Sequence, residues 1–73
     1  MKPLGIDDVK RVDALILSIN DSKSALLRVA HELDDLYIKG DSGWLYRIIG
    51  ELEDWQRVSA ARNAKRMEEA KSG

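Results

Sequence analysis

Apolar residues recur at alternating spacings of three and four along most of this chain, and one cluster of turn formers, Gly40-Asp41-Ser42-Gly43, interrupts them. That period belongs to amphipathic helix, and one sharp interruption allows one chain reversal, so the pattern predicts an all-α helical hairpin. Nothing reads as a strand. Helix formers dominate, phenylalanine is absent, and the only proline, Pro3, lies ahead of every periodic segment. Within the interruption, Gly40 fits the left-handed residue that ends a helix, and Asp41 or Ser42 fits the cap of the next.

Before the turn, the stripe runs Val12, Ile16, Ile19, Leu26, Ala30, Leu33 and Tyr37, with Val29 and Leu36 beside it and Lys23 in the one polar position. It starts near Asp7 or Asp8. Asn20-Asp21-Ser22 could cap a second helix and give three in all, whereas the unbroken heptad phase favours one continuous or kinked helix; both readings stand. After the turn, Leu45, Ile48, Ile49, Leu52, Trp55 and Val58 form the second stripe. Val12, Ile16, Ile19, Leu26, Leu33, Leu45, Ile48, Leu52 and Trp55 are the expected core and dimer contacts. Beyond Val58 the stripe thins to alanines and Met67, so residues 1–73 read as a single domain in which 59–73 frays or projects as a basic helical tail. Gly50 falls in mid-helix, where it costs roughly 1 kcal/mol relative to alanine unless a close helix approach offsets it. Its expected role is packing.

A chain of 73 residues has a core that yields roughly 3–5 kcal/mol unless something staples it. There is no cysteine, and His31 is the only histidine, so neither a disulfide nor a structural zinc site is available. A hairpin pivoting on residues 40–43 would also set residue 57 near 25 and residue 66 near 16. The apolar segment from Val9 to Ile19 would then lie against the polar tail, largely unburied. A third helix folding back would cover it; a homodimeric bundle of helices covers it and supplies the missing stability, and a homodimer is the expectation.

Net charge is −1, so nothing global points to DNA or to membranes. The longest apolar run, Ala14 to Leu17, is far short of the ~18 residues of a membrane span, and Met1 to Gly5 leads into Asp7-Asp8 without a secretory apolar run. A soluble, cytoplasmic protein is expected. Charge is nevertheless uneven. Residues 31–54 carry Glu32, Asp34, Asp35, Asp41, Glu51, Glu53 and Asp54 against only Lys39 and Arg47, whereas 57–73 are basic.

Catalysis finds no footing: His31 sits one turn from Asp34 and Asp35 without a nucleophile or metal partner, and no phosphate loop, dinucleotide fingerprint or zinc pattern occurs. No enzyme activity, cofactor or metal is expected. Binding fits better. Trp44 and Tyr46 bury large area at low entropic cost and can anchor a partner, while Glu32, Asp35, Glu51 and Asp54 can steer a basic one. The plainer alternatives are core packing for the aromatics and a solvated face for the acids. Asp41 to Ile49, with its polar cap and Leu-Tyr-Arg-Ile-Ile run, resembles the recognition helix of a DNA-binding helix-turn-helix, although the acids around it disfavour direct contact with nucleic acid. In size and hairpin format the chain is similar to small regulatory helical proteins of phages and plasmids, antirepressors and inhibitors among them. The expectation is a non-enzymatic regulator or inhibitor, antirepressor-like, that sequesters a protein partner such as a DNA-binding protein. The alternative is a small DNA-binding regulator using the basic tail (Arg57, Arg62, Lys65, Arg66) or the helix that starts at Trp44.

Overall fold

The computed structural model describes residues 4–72; Met1, Lys2, Pro3 and Gly73 lie outside them. Two helices account for nearly all of it, α1 over Ile6–Asp35 and α2 over Lys39–Ser72, packed as an antiparallel hairpin of 55 × 17 × 15 Å. The all-α hairpin read from the sequence is the architecture. α1 passes through Asn20, Asp21 and Ser22 without a break, so no third helix forms among the described residues. Its first turn carries Asp7 and Asp8, which suit the positive end of the helix dipole, and the Asp8 carboxylate accepts the Gly5 N–H at 3.2 Å.

The reversal is not where the glycines suggest. It occupies Leu36-Tyr37-Ile38, while Gly40, Asp41, Ser42 and Gly43 all lie inside α2. The Ile38 N–H reaches back to the Leu33 carbonyl and the Tyr37 N–H to the Asp34 carbonyl, each at 2.9 Å. These bonds close α1 as a Schellman motif. The left-handed position within it, most often glycine, is held by Tyr37 at φ 61°.

Moving the reversal changes which residues meet. Asp34 bonds Ser42, Asn20 bonds Gln56 and Asp13 bonds Asn63, so the pairing is read off heptad by heptad. Residue 16 therefore meets 56, not 66. In α1 the inward positions are Val9, Val12, Ile16, Ile19, Lys23, Leu26, Ala30 and Leu33, at the alternating three and four of a heptad seam. In α2 they are Ser42, Leu45, Ile49, Leu52, Gln56, Ser59 and Asn63 at the same spacing, with Met67 and Ala70 half-buried beyond them.

Toward the open end the α2 seam turns polar while that of α1 stays apolar. Amide side chains reconcile them. Gln56 donates to the Ile16 carbonyl at 2.8 Å and to Asn20 at 3.1 Å; Asn63, 1% exposed, donates to the Val9 carbonyl at 3.0 Å and to Asp13 at 2.7 Å. Val9 is fully buried, so the inward side of the segment from Val9 to Ile19 has a partner within its own chain. The basic stretch that supplies Asn63 is helical as far as Ser72. A buried amide at an inward position lowers stability relative to leucine but fixes register, because a slip would leave it unpaired.

Candidate functional site

The expected core divides in two. Ile16 is buried, and Val12, Ile19, Leu26, Leu33, Leu45 and Leu52 are half-buried along the seam. Ile48 and Trp55 are exposed and lie outside the intrachain core, with Val58. The period of α2 carries two faces, and these three belong to the outer one. No close helix approach occurs at Gly50 within the chain, since a Cβ there would meet nothing within 4 Å beyond its own stretch of helix backbone.

The turn end gathers the residues that suit binding. Leu36, Tyr37 and Ile38 are exposed, Tyr37 to 86%, and Trp44, on the second turn of α2, is exposed with the Arg47 guanidinium 6.0 Å from its ring centre. Glu32, Asp35 and Asp41, close by in sequence, are exposed as well. The turn end thus combines large exposed apolar groups with exposed acids near them in sequence.

Two of the expected binding residues are engaged within the chain. The Tyr46 hydroxyl donates to Asp34 Oδ2 at 2.9 Å, which ties α2 to α1. Asp54 pairs with Arg57 on its own helix at 2.8 Å, so a neighbouring cation offsets its charge. Glu32, Asp35 and Glu51 are exposed. Asp34 is not among the residues that the sequence singles out for binding, yet it organises this end. It also accepts from the Ser42 hydroxyl and faces the Lys39 ammonium at 3.4 Å. An acid at the end of α1, eight residues ahead of a serine in α2, is the sequence signal for it, legible only once the reversal is placed at 36–38.

These bonds set the titration of the turn end. Hydrogen bonds from Ser42 and then Tyr46, with the Lys39 charge, hold the Asp34 carboxyl below the usual 3.8; the Asp34 carboxylate in turn raises Tyr46 above 10.0. A depressed folded-state carboxyl stabilises the fold above its unfolded pKa, and that contribution disappears as pH falls through the lower folded value. Tyr46 behaves conversely: its contribution is complete below the unfolded value and is lost as pH rises through the raised one. Asp34→Asn should therefore melt below the wild type at neutral pH. The difference should begin to narrow below a pH of about 4 and close once the folded-state carboxyl is protonated, as thermal melts followed by circular dichroism across an acid series would record.

His31 lies with its ring 6.3 Å from that of Tyr46, and no cluster of metal-binding side chains occurs among the described residues. No helix of the described residues is long and apolar enough to cross a membrane. Comparison with protein-family models, curated proteins and solved structures finds no match to the chain.

Proposed function

We propose that the protein is a small non-enzymatic regulator that sequesters a protein partner with a basic surface, such as a DNA-binding protein, in the cytoplasm, and that it works as a homodimer. The observation that carries the partner-binding reading is Tyr37. A bulky residue in the left-handed region costs roughly 1–2 kcal/mol, and here the side chain so placed is exposed and bonds to nothing inside the hairpin. The reversal's backbone hydrogen bonds offset that strain, but glycine would make the same bonds without it, so a bulky aromatic kept exposed at this position points to a use outside the chain. Leu36, Ile38 and Trp44 extend the apolar surface, and Glu32, Asp35 and Asp41 supply the field that draws in a basic partner.

Tyr37→Gly separates the two roles. It should raise stability by about 1 kcal/mol, because glycine adopts this backbone without strain, and it should weaken retention of the partner by about tenfold or more. The measurements are a thermal melt and affinity capture from the native host, with Glu32→Lys/Asp35→Lys as the charge-reversal arm. Capture of a basic protein by the wild type, reduced in both variants, supports the reading. Equal capture by all three chains removes the turn end as the site. Should capture yield nucleic acid alone, with affinity that falls steeply with salt and is lost when Arg62 and Arg66 become glutamine, the basic stretch of α2 takes its place.

A further inference from the structure

The two long flanks of the hairpin differ. One is closed by the hydrogen bonds that Asp34, Asn20 and Asp13 make to α2. The other is open and apolar. On it, Leu15 and Val29 of α1 and Ile48 and Trp55 of α2 are all exposed. A groove of ≈ 340 Å³ on this flank is lined by Leu15 from one helix and by Trp55, Arg62 and Arg66 from the other, so these residues share a face.

The register arranges this face in layers. Leu15 is level with Arg62, Ser22 with Trp55, and Val29 with Ile48. A two-fold axis through the middle layer, lying in the face and perpendicular to the rod, exchanges the outer two. Val29 and Ile48 of the partner subunit then fall on the groove beside Leu15 and Arg62, and small Ser22 leaves room beside Trp55 at the axis. The same operation matches charge. Residues 22–54, the turn half, hold four basic against seven acidic side chains, and the rest of the chain holds eight basic against six acidic. Antiparallel stacking sets each acidic half on a basic half, whereas parallel stacking would superpose like on like.

We infer that a second copy of this chain covers the open flank, forming an antiparallel two-fold four-helix bundle with Trp55 at the axis. This deepens the homodimer proposed above and rests on it. The face is self-complementary, as a closed two-fold interface must be. Arg62 and Arg66 come level with the acid-bearing turns around Glu51 and Glu32 of the partner subunit. The turn ends project at opposite extremes of the bundle, so each dimer presents two copies of the Tyr37 surface, about one rod length apart.

The test uses the full chain. Sedimentation equilibrium should show a dimer at micromolar concentration, and Trp55→Lys should raise its dissociation constant by at least about tenfold. Leu15→Lys, on the other helix, should do the same, while Leu17→Lys, at a 64% exposed position outside the face, should not. Because the chain has no cysteine, Ser72→Cys carries a single spin label at the open end. The antiparallel bundle places the two labels at a separation close to the 55 Å length of the rod, and a parallel one brings them together. A dimer with a short label distance, or one indifferent to both lysine variants, overturns this arrangement and leaves the homodimer standing. A monomer throughout overturns both.

Discussion

Ile49→Ala is expected to abolish the cooperative thermal transition of the protein. Ile49, 9% exposed, is one of four buried apolar residues among those described, with Val9, Ile16 and Ala30, and the only one that α2 contributes. Cutting a buried isoleucine to alanine typically costs about 2–5 kcal/mol, which is comparable with the roughly 3–5 kcal/mol that a core of this size supplies. Little beyond Leu52 can absorb the loss, because the inward positions there are polar Gln56, Ser59 and Asn63, followed only by half-buried Met67 and Ala70 near the end of α2. Circular dichroism on heating should show a broad, shallow loss of helix in place of a sigmoid. A melt that keeps its shape and moves by only a few degrees would mean that Ile49 is not the centre of the seam.

The largest gain should come from glycine. Gly43 and Gly50 both lie inside α2 without positive φ, and a Cβ at either position would meet nothing within 4 Å. Each glycine costs a helix interior roughly 0.5–1 kcal/mol relative to alanine through unfolded-state entropy. The pair Gly43→Ala/Gly50→Ala should therefore add about 1–2 kcal/mol. In a domain of this size, that is a rise in Tm of about 4–16 °C. Both positions lie off the open flank, so the gain should be independent of protein concentration. A loss of stability at Gly50 would reveal a close approach by another chain on that side.

Most of the fold is legible in the sequence because the three-and-four spacing of α1 is regular and its apolar side chains do point inward: Ile16, Leu26, Ala30 and Leu33 lie where the period puts them. The reversal is not legible. Gly40 and Gly43 carry the usual signature of a turn, while Leu36-Tyr37-Ile38 reads as the end of an apolar stripe, and no local signal announces a tyrosine in the left-handed region. Backbone hydrogen bonding of Tyr37 and Ile38 to the last turn of α1 overrides that propensity. The second stripe misleads for a related reason. Reading apolar as inward selects Ile48, Trp55 and Val58, but the inward face of α2 continues through Gln56, Ser59 and Asn63. Polar residues belong inside where the opposite helix offers carbonyls and Asp13 or Asn20 as acceptors. Of the candidate site, Trp44 and the exposed acids are accessible to pattern, whereas the engagement of Tyr46 depends on Asp34 across the turn, which no single-helix pattern contains.

The three-residue reversal also sets how much chain each contact between the helices must close. Ser42 is eight residues from Asp34, Gln56 is forty from Ile16, and Asn63 is fifty-four from Val9. Closing the longest of these loops directly would carry the largest entropic cost, but once the turn has formed each later heptad adds only its own ordering. Loop entropy thus favours closure outward from Tyr37, with the Asn63 bonds costly to form before the turn. The strained tyrosine sits where the loops to be closed are shortest, and a partner that grips it would hold together the end from which every longer contact follows.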